Sequence, residues 1–573
     1  MTDRSAGVIS DVAMLVALAT VASIAGLVWL WGGVAGTLFG RGWPHVGVGA
    51  LLGVLVRLPG RLPNPALAWP EQVRAGLPGP GGFYVGLVLL IGAASACVAM
   101  VTRGAAALNL GGREPGARWA RASELRALAP RWPRHRAGKS AAGDGGRIVL
   151  GCHRGRPLVA EHRHALVAFG PPQSGKSAGL AVPTLLEWQG PAVASSIKTD
   201  LLAVTLRRRA ELGEVLVFDP FQLSEVKSHT WSPLAGARTW DGALETAWRL
   251  ASAGEVDQRG VEGGDFWAIA AEQRLAPLLY VAARSEAKID DVVRWAYGQG
   301  ARELHESLAR IAGEADGDQE LAEAHAAYDA VRAFEAQADR TRSSIEATAQ
   351  ALLRAYRYSR VARSAQACEI TADRLLAGCS TLYLVGDAKA SKMLRPIFLA
   401  LLSEIIDRAY ERATLAGGRL ELPLLLCLDE AGNVAPLPNL GEIASTAPSH
   451  NIQLISIFHD LAQARSRYGR QAETVINSHR ARMLLPGVAD LETLRYFAGL
   501  VGEEEARDLT RTTGPSGTTR STARRRRPLV AAESLRQLPE RHALLVYGRI
   551  APTRLRLRLW FADRRLRRLA GTP

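Results

Sequence analysis

Cysteine is scarce in this 573-residue chain. The five present, Cys97, Cys152, Cys368, Cys379 and Cys427, are scattered, odd in number and never arranged as CxxC. That excludes a disulfide framework and a zinc cluster of the usual spacing. Charge is missing altogether from residues 12–40, VAMLVALATVASIAGLVWLWGGVAGTLFG. An uncharged run of that length crosses a bilayer as a helix. It is too long for a signal-peptide core and no A-x-A-like site follows it, so it reads as an uncleaved anchor. Acid is scarce from residue 507 onward, where 17 arginines face four acids, Asp508, Glu533, Glu540 and Asp563, a local net charge of +13.

What is present suits a folded protein: 48% of residues are hydrophobic and 22% charged, in a chain long enough for several cores. The net charge of +15 favours an anionic partner, nucleic acid or a membrane surface. A second apolar run, FYVGLVLLIGAASACVAMV at 83–101, is followed by Arg103, Arg113, Arg118, Arg121, Arg126, Arg131, Arg134 and Arg136. By the positive-inside rule the chain after residue 102 is cytoplasmic, and so is the N-terminus. The expected anchor is therefore residues 1–104, with spans at about 12–34 and 83–101. Between them VGVGALLGVLV is too short to span and suits the interface. Gly32, Gly36 and Gly40 recur every fourth residue, a spacing that permits close helix approach and is also ordinary in membrane helices.

Gly170, Pro171, Pro172, Gln173, Ser174, Gly175, Lys176 and Ser177 fit GxxxxGK[ST]. The motif follows a strand-like HALVAF and opens a helical SAGLAVPTLLEW. Its glycines allow a tight turn whose amides, with the helix N-terminus, cradle phosphates. Lys176 would reach the β- and γ-phosphates of ATP, and Ser177 would ligate Mg²⁺. LPLLLCLDEAGN at 422–433 is an apolar strand ending in two acids. Asp429 would hold the Mg²⁺ through water and Glu430 would polarise the attacking water. Further strand-like runs lie at 191–197, 214–220, 380–387, 451–458, 481–487 and 542–548. Helical patterns separate most of them, so the fold class is α/β with a mainly parallel sheet and the nucleotide at the strands' carboxyl ends. Strand signals vanish at 241–369, where alanine-rich helical spacing predicts an inserted all-α domain forming a separate lobe. The sheet domain then comprises 105–240 and 370–573, with a basic loop at 511–528.

Taken in order, GPPQSGKS, SSIKTDLL, VFDPF, the insert opening at DFW, LLLCLDEAGNVAPLPNL, NIQLISIFHDLAQARSRYG and RPLVAAESLRQLPERHALLVYGRIAP behind two spans resemble the type IV coupling proteins, the TraG/TraD-like ATPases of conjugation. The resemblance runs through nearly the whole chain. It implies a RecA-like P-loop NTPase that forms a homo-hexamer under the inner or plasma membrane and drives DNA or a DNA–relaxase complex toward a secretion channel. The implied partners are DNA, bound without strong sequence preference, a relaxase or secreted protein, channel membrane proteins and lipid. It also implies a residue near the γ-phosphate after the next strand, here His459 with Gln463 one turn on, and an arginine from a neighbouring subunit, for which Arg395, Arg480 and Arg482 are candidates. Where relatives carry an Asp-Pro-Lys-Gly-like segment this chain has Lys198-Thr199-Asp200. An FtsK-like pump has four spans and no such insert, and an ABC ATPase would need an LSGGQ-like run, which is absent. A receptor that binds nucleotide without pumping would have no use for Glu430.

Overall fold

The computed structural model describes residues 4–108, 116–130, 146–258, 264–514 and 517–571. They form two compact units, Met1–Glu114 and Pro115–Pro573.

In the first unit two long helices, Arg4–Phe39 and Pro80–Leu108, are joined by a loop carrying the short helix Val48–Arg57. The stretches long and apolar enough to cross a membrane are Ala19–Phe39 and Pro80–Met100. The first runs past the expected end at residue 34. Val28, Trp31, Ala35, Val54, Trp69 and Phe83 form a small core between the helices and the loop, and the Trp31 indole donates to the Phe83 carbonyl at 2.6 Å. The glycine series belongs to this packing. A Cβ at Gly32 would fall 2.1 Å from the Trp69 ring, so the glycine makes room for a loop tryptophan within one chain.

The second unit is built on strands β1 (Val149–His153), β2 (Arg156–Val159), β3 (Leu166–Phe169), β4 (Ala192–Ser196), β5 (Val215–Phe218), β6 (Thr381–Val385), β7 (Leu424–Leu428), β8 (Ile452–Phe458), β9 (Ala481–Leu484), β10 (Glu503–Gly514), β11 (Gly517–Pro528), β12 (His542–Tyr547) and β13 (Ile550–Arg556). Eleven of them make one sheet in the order β2-β1-β13-β12-β9-β3-β8-β7-β4-β6-β5. From β9 to β5 every pairing is parallel. From β9 outward to β2 every pairing is antiparallel. The parallel strands are short apolar runs because both faces are covered. Val167 and Phe169 of β3 enter one core and Leu166 and Ala168 the other, as the two-residue alternation of a strand requires.

Two expectations are corrected here. The helices between β5 and β6, Trp240–Gln258 through Ser359–Arg363, do form an all-α insertion in the chain, but not a lobe with a separate core. Leu275, Leu279, Trp295 and Leu353 belong to the same core cluster as Val167 and Phe169. Helices with apolar residues on more than one side bury one side among themselves and another on the sheet. The basic segment at 511–528 is not a loop: it completes the hairpin β10–β11, a two-stranded sheet of its own.

One buried cation ties the amino ends of β4 and β6 to the helix between them. Arg209, on Asp200–Leu212, has no exposed surface. Its guanidinium donates to Thr381 Oγ1 (2.6 Å) and to the carbonyls of Trp188 (2.6 Å), Gly190 (2.7 Å) and Cys379 (2.9 Å). Arg209→Met is expected to strand these acceptors and cost about 3–5 kcal/mol, read as a lower thermal unfolding midpoint.

Candidate functional site

The site assembles because β3, β8 and β7 are neighbours in the sheet and all run the same way. Their carboxyl ends deliver three segments side by side: residues 170–177 after β3, His459 after β8, and Asp429-Glu430 after β7. β4, on the far side of β7, adds Ser196, Ile197 and Lys198. Chain segments more than 250 residues apart in sequence thus line one cleft of about 680 Å³.

Backbone conformation shapes the phosphate loop. Gly175 has φ +86° and Gln173 φ +67°, so left-handed residues alternate with ordinary ones and turn successive amides toward the cleft. The loop runs into Ser177–Ala181, a wide π-type turn, and then into helix Val182–Glu187. Pro183 has no N–H, and its ring would meet the carbonyl four residues back in a regular helix, so the widened turn accommodates it. Glu430 also has φ +61°. A non-glycine residue held there costs on the order of 1 kcal/mol, and such strain gathers at functional sites.

Lys176 Nζ lies 3.1 Å from Glu430 Oε1, and both side chains are nearly buried. The ammonium also reaches His459 Nδ1 at 3.4 Å, so that nitrogen accepts and the Nε2–H lies toward Glu430 Oε1 at 3.7 Å. Burial, then the neighbouring Lys176, pulls the His459 pKa down, which keeps the imidazole neutral and able to accept from the ammonium. Asn433 Nδ2 donates to Glu430 Oε2 at 3.1 Å and fixes the carboxylate. Ser177 Oγ donates to Asp429 Oδ2, while Asp429 Oδ1 is buried with no hydrogen-bond partner. Burial raises the Asp429 pKa, opposed by the Ser177 hydrogen bond and by Lys176. A buried carboxylate oxygen without a donor, beside a serine hydroxyl at the mouth of a phosphate loop, is the donor set that a Mg²⁺ ion suits. The residues present therefore fit both a triphosphate and its metal.

The remaining candidates divide. His459 lines the cleft, whereas Gln463 does not: its Oε1 accepts from the His459 amide at 2.7 Å and so positions the histidine from behind. Lys198 and Asp200 both line the cleft. Arg395 is only 3% exposed, inside helix Ala388–Leu415, and is placed in its own core rather than on a surface that meets a neighbour. Arg480 precedes β9 and stands 3.9 Å from Glu161, at the amino end of the sheet. Arg482, on β9, donates to the carbonyls of Ile476 (3.3 Å) and Asn477 (3.0 Å). None of the three lines the cleft. Sequence reading missed Glu540 and Arg541, which precede β12, and Leu559 and Phe561, which follow β13; all four line the cleft. β12 is antiparallel to β9, so its beginning lies at the carboxyl edge. The apolar run HALLVYG carries no signal of its direction.

Residues 118–573 match the family described as type IV secretory system conjugative DNA transfer. The conjugal transfer protein TraG of Escherichia coli is 26% identical over 470 residues, covering 76% of this chain and 70% of TraG. VirD4 of Rhizobium rhizogenes is 22% identical over 421 residues, covering 71% of this chain and 60% of VirD4. Among solved structures, the bacterial conjugative coupling protein TrwB lacking its first 70 residues superposes with a TM-score of 0.55 at 17% identity, covering 78% of this chain and 95% of that one. TrwB in complex with ADP and Mg²⁺ gives the same score at 16% identity. A phosphate loop joined to paired acids across three parallel strands, on a chain matched over most of its length, identifies this protein as a member of the conjugative DNA transfer family of type IV secretory systems, the coupling proteins.

Proposed function

We propose that this protein is a membrane-anchored motor that couples ATP hydrolysis to the passage of DNA, or of a DNA–relaxase complex, into a type IV secretion channel. The observation that carries the reading is the buried Lys176–Glu430 pair beside the unpartnered Asp429 oxygen. In it a cation for phosphate, an acid for water and a seat for metal converge within one cleft. TrwB, which shares the fold, has been solved with the ATP analogue ADPNP and with ADP and Mg²⁺.

In this reading the amides of residues 173–177 hold the phosphates and Lys176 exchanges Glu430 for the β- and γ-phosphates. Ser177 and Asp429 hold Mg²⁺, which when bound neutralises charge on the phosphate oxygens. Glu430, released from the lysine and still held by Asn433, orients the attacking water and accepts its proton. His459, neutral and held by Gln463, monitors the γ-phosphate. Glu540, Arg541 and Phe561 form the outer wall. The protein works as a homo-hexamer, with an arginine from a neighbouring subunit completing the site; Arg480 and Arg482 are the candidates nearer the surface. Two spans fix it in the inner or plasma membrane, with the N-terminus and the nucleotide-binding unit cytoplasmic. Its DNA contacts are largely sequence-independent, and channel proteins and a relaxase or secreted protein are its further partners.

Glu430→Gln is expected to keep ATP affinity while turnover falls about 10²–10⁴-fold and transfer from donor cells is lost. Transfer that survives the substitution would leave a nucleotide-binding receptor in place of a motor. Asp429 gives a pH signature. Mg²⁺ held through its water requires the charged carboxylate while burial favours the protonated acid, so metal binding would release a proton. Mg²⁺ affinity at the ATP-loaded site should therefore rise about tenfold per pH unit below the raised Asp429 pKa and level off above it. Asp429→Asn should abolish that slope, measured by Mg²⁺ titration of nucleotide binding.

A further inference from the structure

The hairpin β10–β11 pairs twelve residues of each strand, and neither strand joins the eleven-stranded sheet. Its register sets Arg507 opposite Arg524 and Arg511 opposite Arg520. Successive residues of a strand alternate between faces and residues in register share one. These four positions therefore lie on the same face of the ribbon, with the Leu509–Thr522 pair between them and the Thr513–Thr518 pair beyond. Nearer the base the arrangement differs. Arg526 is opposite Glu505, Arg527 is opposite Glu504, and Arg527 Nε lies 2.8 Å from Glu504 Oε1. By register, arginine stands opposite glutamate at the base and opposite arginine toward the tip. Residues 509–532 contain no acid at all.

Like charges directly opposite on a ribbon oppose pairing. Two such arginine pairs in succession are tolerated when an anion lies across them. The two pairs are four residues apart, about 13 Å at ~3.3 Å per residue, close to the axial rise of four base pairs. A two-stranded ribbon is also of a width that the major groove of B-form DNA admits. Threonine and serine fill most of the positions between the arginines, and Leu509 is the one large apolar residue in 507–527. Apart from Leu509, the large aromatic and aliphatic side chains by which a membrane-surface element inserts are absent there. We propose that the arginine-paired face of this ribbon is a docking surface for the phosphate backbone of double-stranded DNA, with the ribbon lying in its groove. The proposal rests on the DNA-transfer reading and adds a surface and the duplex form of the DNA held there.

The test uses the full-length protein in detergent and a labelled duplex of about 30 base pairs, with binding followed by anisotropy across a salt series. Neutralising the face in R507Q/R511Q/R520Q/R524Q should make the slope of log K against log salt shallower by about 3–4, at ~0.9 per phosphate contact. The pair R511Q/R520Q, a milder change for folding, should give about half of that. R302Q/R310Q/R340Q/R354Q removes as much charge from the helical insertion and should leave the slope near that of the parent. An unchanged slope in the ribbon variants, or an equal change in the insertion variant, overturns the proposal. So does a ribbon variant that binds duplex normally but loses phosphatidylserine vesicles or its oligomeric state, since the face then serves lipid or a second copy. If the parent binds no duplex but binds a single strand of the same sequence, the proposal fails and the DNA-transfer reading stands; if it binds neither, the DNA-transfer reading fails as well; if the parent binds duplex and the ribbon variants bind equally well, only the ribbon assignment fails.

Discussion

A desolvated lysine needs an anion, and the catalytic unit is organised around that requirement. Lys176 sits at the buried end of a glycine-rich turn, where water cannot serve it fully, and Glu430 answers at 3.1 Å. A pair so placed is not a device for stability, because removing both charges from water offsets much of their attraction. In the proposed mechanism its value is that it can be exchanged: a phosphate oxygen presents more charge to the lysine than a carboxylate does, and the glutamate so freed is already aimed by Asn433. The left-handed backbone at Glu430 and the unpartnered Asp429 oxygen are the local costs of holding acids where the proposed mechanism brings water and metal together.

The sheet makes that meeting possible. Only a parallel sheet brings the ends of β3, β8 and β7 to one edge, and parallel strands need crossover helices on both faces. The helical insertion supplies part of that cover as well as surface of its own, which is why its core merges with that of the sheet. The antiparallel extension from β9 to β2 has a different effect. It returns the chain to the same edge from the other direction, so that Arg541 and Phe561 close the cleft from a part of the sequence remote from either nucleotide motif.

Charge is distributed with equal economy. Inside the unit, Arg209 is satisfied by carbonyls and a hydroxyl, Arg558 by Glu187 and Asp563, and each is buried. On the hairpin the base is matched by glutamates and the outer arginines face one another. The same residue type thus serves as an internal tie in one place and stands in register with its own kind in another.

The sequence by itself determined what depends on near neighbours in the chain. The GPPQSGKS turn, the apolar strand ending in Asp429-Glu430, the two uncharged runs and the seven strands of the parallel sheet were all legible, because glycine conformation, strand burial and bilayer thickness act on contiguous residues. Tertiary structure decided what depends on direction and register. The antiparallel sense of β12 put Arg541 at the cleft, and Gln463 proved to support His459 rather than line the site beside it. Arg395 went into the core, and the loop tryptophan filled the space at Gly32. The hairpin escaped sequence reading for the same reason: its strands carry few apolar residues, so no hydrophobic alternation announces them, and only the backbone ladder fixes which arginine stands opposite which.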